Sequence, residues 1–175
     1  MIDRRDKLSD VVDMCLRHKI LTLDFELNID KWNDFNPEIK KIVSKEWKMV
    51  KYMNDDGTKL NSDIDSIPDD AGGVYLFLLK PEILPGVHLY IMYIGRVRRM
   101  KNYSLRQRCK EYYSDTRPKI AMMRELWGAQ LYFRYLVLED NELIAEVEKE
   151  LLRVIIPPCN TKIPNYNEMP TQPAF

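Results

Sequence analysis

Within residues 72–96, GGVYLFLLKPEILPGVHLYIMYIGR, two short apolar runs each set a tyrosine near a glycine: Gly73-Val74-Tyr75 and Tyr93-Ile94-Gly95. A basic stretch follows at once. Between residues 96 and 124 stand Arg96, Arg98, Arg99, Lys101, Arg106, Arg108, Lys110, Arg117, Lys119 and Arg124, against only Glu111 and Asp115. A basic segment inside a chain of formal net charge zero has the footprint of a local phosphate-binding surface. A solvated loop and helix face explains the charge equally well. Neutrality of the whole chain argues against a generic nucleic-acid coat.

The segment ELIAEVEKELLRVI carries a third chemical signal. At 100° per residue, Ile144, Val147, Leu151, Leu152 and Ile155 define one apolar helix face, and Glu148 falls near its middle. A carboxylate there costs several kcal/mol unless it is paired or bound to a metal. Two explanations stay open. One is a structural ion pair with Arg106 or Arg108; the other is a divalent-metal ligand beside a phosphate site.

These residues need elements to hold them. GVYLFLL is short, apolar and aromatic-rich, as a buried strand would be. The loop around Pro81 and Pro85-Gly86 turns it into HLYIMYIG as a hairpin. Ser104 caps a helix LRQRCKEYY, a third strand runs from Gln130 to Leu138, and Asn141 caps the last helix, which stops at Pro157-Pro158. The order strand, strand, helix, strand, helix predicts a small α+β domain with a three-stranded, mainly antiparallel sheet. Upstream, residues 1–66 read as a helical extension to a domain spanning 67–175. Leu8, Val11, Val12, Cys15 and Leu16 recur at helical spacing. A second helix is expected from Asn36-Pro37 through residue 52, and the polar stretch 54–70 reads as a connector.

At 175 residues, 45% hydrophobic and 31% charged, the chain suits one domain with a sizeable core. No apolar run approaches the roughly 20 residues of a bilayer span, so no membrane partner is expected. MIDRRDKLSD lacks a signal-peptide core, which leads to a cytoplasmic expectation. Cys15, Cys109 and Cys159 are far apart and read as ordinary thiols, and the isolated His18 and His88 do not suggest a zinc site.

Gly73-Val74-Tyr75 followed by Tyr93-Ile94-Gly95 resembles the two-part signature of the GIY-YIG nuclease superfamily. The likeness continues in register. SLRQRCKEYY resembles the family helix that carries a catalytic arginine and, one turn later, a tyrosine or histidine: Arg108 and Tyr112 here. EKELLRVIIPPCN resembles the family ending E-x-x-L-[IL]-x(4)-P-x-x-N, with the metal-binding glutamate on Glu148 and the family asparagine on Asn160. Arg96 stands where many members have lysine. The resemblance spans roughly residues 68–162 and leaves out 1–66.

The resemblance implies a metal-dependent DNA endonuclease of the restriction, phage or mobile-element type. Glu148 would hold Mg²⁺, with Mn²⁺ as a substitute. Arg108 and Arg96 would donate to the phosphate oxygens. Tyr75 would act as general base with its pKa brought down by the arginines, and Tyr93 would hold the water or the base. Tyr112 completes the catalytic set. The basic residues Arg98, Arg99, Lys101, Arg106 and Lys110, with Asn160, are candidates for substrate binding, although Asn160 reads better as a scaffold residue. Cutting both strands of a duplex would call for a homodimer. The alternative from another class is a non-catalytic nucleic-acid-binding or protein-interaction module that keeps the same fold.

Overall fold

The four strands of the sheet lie in the order β1-β4-β2-β3, and every neighbouring pair is antiparallel. The computed structural model describes residues 25, 29–84, 86–87 and 89–163. The helix expected around Leu8–Leu16, with Cys15 and His18, lies outside these residues, as does His88.

Strand β2 (Gly73–Leu79) is central, and six of its seven residues are buried. That burial explains its unbroken apolar run: a strand covered on both faces has no solvent side to alternate with. Val74, Leu76 and Leu78 face one layer, while Tyr75 and Phe77 face the other. Strand β3 (Tyr90–Val97) forms the expected hairpin with β2, with a bulge between Phe77 and Leu78 in the pairing. Strand β4 (Leu131–Val137) pairs along the opposite edge of β2.

The sheet has four strands, not the expected three. The additional strand β1 (Lys48–Lys51) pairs with β4, Val50 opposite Phe133. It occupies sequence expected to continue a helix. Helix α1 (Ile29–Asn33) is short, and helix α2 (Pro37–Val43) ends far earlier than residue 52. Its start matches the expectation, since Asn36 Oδ1 accepts from the Glu38 and Ile39 amides at 2.9 and 3.3 Å. At the other end, the Ser44 hydroxyl donates to the Lys40 carbonyl at 2.7 Å and the Trp47 indole donates to the Val43 carbonyl at 2.8 Å. Those bonds occupy the last carbonyls and turn the chain toward β4. Beyond β1, Tyr52, Met53 and Ile64 enter the core, the last from a 3₁₀ turn at Ser62–Ser66. Sheet and core therefore draw on both sides of the boundary expected at residue 66.

One face of the sheet is covered by helix α3 (Leu105–Glu111) and helix α4 (Pro118–Trp127), through Leu105, Cys109, Ile120 and Met123. Sequence reading missed α4. Its signals are Pro118 in the first turn and the helical spacing of Ile120, Met123 and Trp127. The other face is covered by helix α5 (Asn141–Ile155), through Ile144, Val147, Leu151 and Leu152. The N-cap of α5 is Asp140, not Asn141: its carboxylate accepts from the amides of Glu142 at 2.7 Å and Leu143 at 2.9 Å. The Asn141 side chain instead accepts from the Arg99 amide at 2.7 Å, holding the turn after β3. Cys109 and Cys159 are buried free thiols, and burial pushes Cys159 up to about 11.

Candidate active site

The two Tyr–Gly pairs meet in space. Tyr75 on β2 is paired with Gly95 on β3, and the tyrosine ring lies over that glycine. A Cβ at Gly95 would sit 2.5 Å from Tyr75 Cζ and 2.9 Å from Cε2, so only glycine leaves the ring its place. Gly73 has a different reason. Its φ is 153°, and a Cβ there would press on the Leu136 carbonyl of β4.

Tyr75 is 1% exposed, stacked on Phe133 with ring centroids 5.0 Å apart. Its hydroxyl shares a 2.7 Å hydrogen bond with that of Tyr112. Arg108 joins both phenols, donating from Nε to Tyr75 Oη at 3.2 Å and from Nη2 to Tyr112 Oη at 3.1 Å. The helix dictates this reach: Arg108 and Tyr112 are four residues apart, so they share one face of α3. Ser104 starts that helix, accepting from the Gln107 amide at 3.3 Å. The third guanidinium contact runs from Nη1 to Glu111 at 2.8 Å. Tyr103 also reaches the guanidinium, so four side chains share its five N–H groups. Tyr93, less buried than the other two tyrosines, packs against Tyr112 at 5.6 Å between centroids.

The cluster rests in a defined protonation state. Burial raises Tyr75 far above the ordinary phenol range, Tyr112 and Tyr93 add to that, and Arg108 opposes it without prevailing. Burial also raises Tyr112. Burial by itself would pull Arg108 down, but Tyr75, Tyr112 and Glu111 hold its pKa above the usual value. Near neutrality the cluster is two neutral phenols and one guanidinium cation. The expectation that arginine charge brings the Tyr75 pKa down is thus overturned, because desolvation of a phenolate outweighs one neighbouring cation.

Glu148 and Arg96 form a second group. Arg96 alternates with Gly95 along β3 and so lies on the α5 side, where its Nη1 is 2.9 Å from Glu148 Oε2. The ion-pair partner is Arg96 rather than Arg106 or Arg108. Glu148 is 19% exposed at its side chain, and burial raises its pKa against the opposing charge of Arg96. The expected site residues thus divide between the two faces of the sheet, with β3 contributing Tyr93 to one and Arg96 to the other.

The remaining expected residues are dispersed. Arg106 donates to the Ile67 carbonyl at 2.6 Å and reaches Asp69, and Lys110 pairs with Asp65 at 2.8 Å. Arg99 is 3.3 Å from Glu139. Arg98 and Lys101 are exposed and have no partner among the described residues. Asn160 is a scaffold residue: its Oδ1 accepts from the Ile94 amide at 2.9 Å and its Nδ2 donates to the Ile94 carbonyl at 2.8 Å. With the Cys159 amide donating to Met92 at 2.9 Å, the segment covers part of the open edge of β3 as another strand would.

As a metal anchor, Glu148 is suited to a hard cation that keeps most of its own waters. One carboxylate oxygen is engaged by Arg96, and the other has no partner among the described residues. The described residues hold no group of three or more His, Cys, Asp or Glu for a closed site. They also hold no helix long and apolar enough to cross a membrane.

Comparison with protein-family models, with curated proteins and with solved structures returns no match for this chain.

Proposed function

We propose that the chain is a metal-dependent endonuclease that hydrolyses phosphodiester bonds of DNA. One observation carries the reading: Arg108 is hydrogen-bonded to both Tyr75 and Tyr112, which fixes its guanidinium at the tyrosine cluster. Tyr75, Arg108 and Tyr112, selected by type and spacing, form a polar cluster on one face of the sheet, and the edge strand bears Arg96 on the other. Phosphodiester cleavage requires preorganised donors where negative charge builds on the phosphate, together with a positioned water. Arg108, fixed by three contacts, supplies the donors. Tyr93, the least buried phenol of the cluster, meets the water. Tyr75 and Tyr112 serve as neutral hydrogen-bonding supports that hold Arg108. Arg96 is shared between Glu148 and a substrate that crosses β3 near Gly95. Glu148 would hold Mg²⁺, which supplies Lewis-acid stabilisation of charge at the phosphate when bound.

The near-complete burial of Tyr75 favours a second reading, a nucleic-acid-binding module that keeps this arrangement for stability alone. A plasmid-nicking assay with Mg²⁺ and an EDTA control separates the two. Metal-dependent conversion of supercoiled plasmid, lost in Glu148→Gln and in Arg108→Ala while both variants stay folded, is the expected result. Folded wild-type chain that binds DNA and never nicks it would leave only the binding module.

A further inference from the structure

Arg117 belongs to the basic stretch but to no signature position, yet it stands against the tyrosine cluster. Its Cζ is 5.7 Å from the centroid of Tyr93 and 5.5 Å from that of Tyr112. Arg108 approaches the same Tyr112 ring at 4.5 Å. Two guanidinium groups sharing one aromatic ring repel one another, and each carries its own carboxylate: Glu111 on Arg108, Asp115 on Arg117. The Asp115 contact is two-pronged. Arg117 Nε lies 3.0 Å from both carboxylate oxygens, and Nη2 donates to Oδ2 at 2.7 Å. Asp115 also accepts from the Arg117 amide at 2.9 Å, so the residue is anchored by backbone and side chain at the start of α4.

Three other basic groups of this segment are committed to backbone carbonyls. Arg124 donates to the carbonyls of Tyr112 and Asp115, Lys119 to that of Pro158, and Arg106 to that of Ile67. Arg117 differs because about half its side chain is exposed, 49% against 26% for Arg108, while its position is held by Asp115 and two rings. The Asp115 contact keeps its pKa above the usual arginine value. It is a preorganised, solvent-facing cation whose Nε and Nη2 serve Asp115, with Tyr93 and Tyr112 also within hydrogen-bonding reach.

From this geometry we propose that Arg117 is a second phosphate-binding guanidinium of the site, holding a phosphate of the nucleic-acid backbone next to the one that Arg108 meets. The assignment rests on the nuclease reading above. Rigid placement by Asp115 and the Tyr93 and Tyr112 faces lets Arg117 fix the register of the strand without distorting the Arg108–Tyr75 contacts.

The test is the salt dependence of binding a short fluorescein-labelled DNA duplex, in EDTA so that nothing is cut, across roughly 50–200 mM salt. Each phosphate contact adds about 0.9 to the slope of log K against log salt. Arg117→Ala should lower the slope by about 0.9, and Arg117→Lys should restore it, since lysine keeps the charge. Should the alanine variant not fold, Arg117→Gln, which keeps reach toward Asp115 without charge, should give the same lowered slope. A wild-type slope in folded Arg117→Ala or Arg117→Gln would overturn the assignment and leave Arg117 as a surface partner of Asp115. Absence of salt-dependent binding by the wild-type chain would instead remove the nucleic-acid reading, and this assignment with it.

Discussion

Gly95→Ala is expected to damage the fold through a single ring. The three atoms nearest to the added Cβ all belong to Tyr75: Oη, Cζ at 2.5 Å and Cε2 at 2.9 Å. Tyr75 cannot yield freely, because it is 1% exposed, stacked on Phe133, and bonded at its hydroxyl to Tyr112 and Arg108. Overpacking of this kind costs about 1–3 kcal/mol. Displacing the hydroxyl from its buried partners adds about 1–3 kcal/mol. A total of about 2–6 kcal/mol, at about 2–4 °C per kcal/mol for a chain of this length, lowers Tm by roughly 4–24 °C. A double-mutant cycle isolates the cause. In a Tyr75→Leu background the atoms that the Cβ meets are gone, so Gly95→Ala should be neutral or stabilising by about 0.4–1 kcal/mol through the unfolded chain. Thermal and urea unfolding of the four proteins would supply the numbers. A Gly95→Ala cost that is the same in both backgrounds would refute the account, since the penalty would then lie in the backbone and not in the tyrosine ring.

Asn160→Ala should lower stability by about 1–3 kcal/mol, because it leaves the amide and carbonyl of the buried Ile94 unpaired; a variant that unfolds with the wild type in urea would show that water replaces the side chain there. Glu148 should make a pH-dependent contribution of defined sign, measured in EDTA. Its pKa is raised in the folded state, chiefly by burial, so its stabilising contribution is complete below the unfolded value of about 4.3 and is lost as pH rises through the folded value. Relative to Glu148→Gln, the wild type should therefore become less stable as pH rises above the unfolded value and through the raised folded one; an opposite trend would mean that the Arg96 contact outweighs desolvation.

Strands β2, β3 and β4 and helix α5 were legible because their patterns are local. Aromatic and β-branched runs bounded by turns, and an apolar stripe at helical period, report burial directly. The cap at Ser104 and the turn of α5 at Pro157-Pro158 belong with them, since the side chains that start or stop these helices lie next to the residues they affect. So does the anomaly of Glu148, which the stripe alone exposes as a carboxylate in need of a partner.

Tertiary structure decided the rest, for reasons that involve distance along the chain. Residues 48–51 fit a lysine-rich helix until β4 offers an edge to pair with; the ladder to Tyr132–Tyr135 then prevails over local propensity. Asp140 and Asn141 are both good caps, and the choice between them depends on Arg99, whose amide claims Asn141. The partner of Glu148 depended on which side of β3 Arg96 would face, which the sheet alternation sets. The protonation state of Tyr75 depended on burial between Phe133 and α3, and counting nearby arginines in the sequence could not weigh that desolvation. Arg117, finally, carries no motif. Only the start of α4 packing beside Tyr93 and Tyr112 brings it to the cluster.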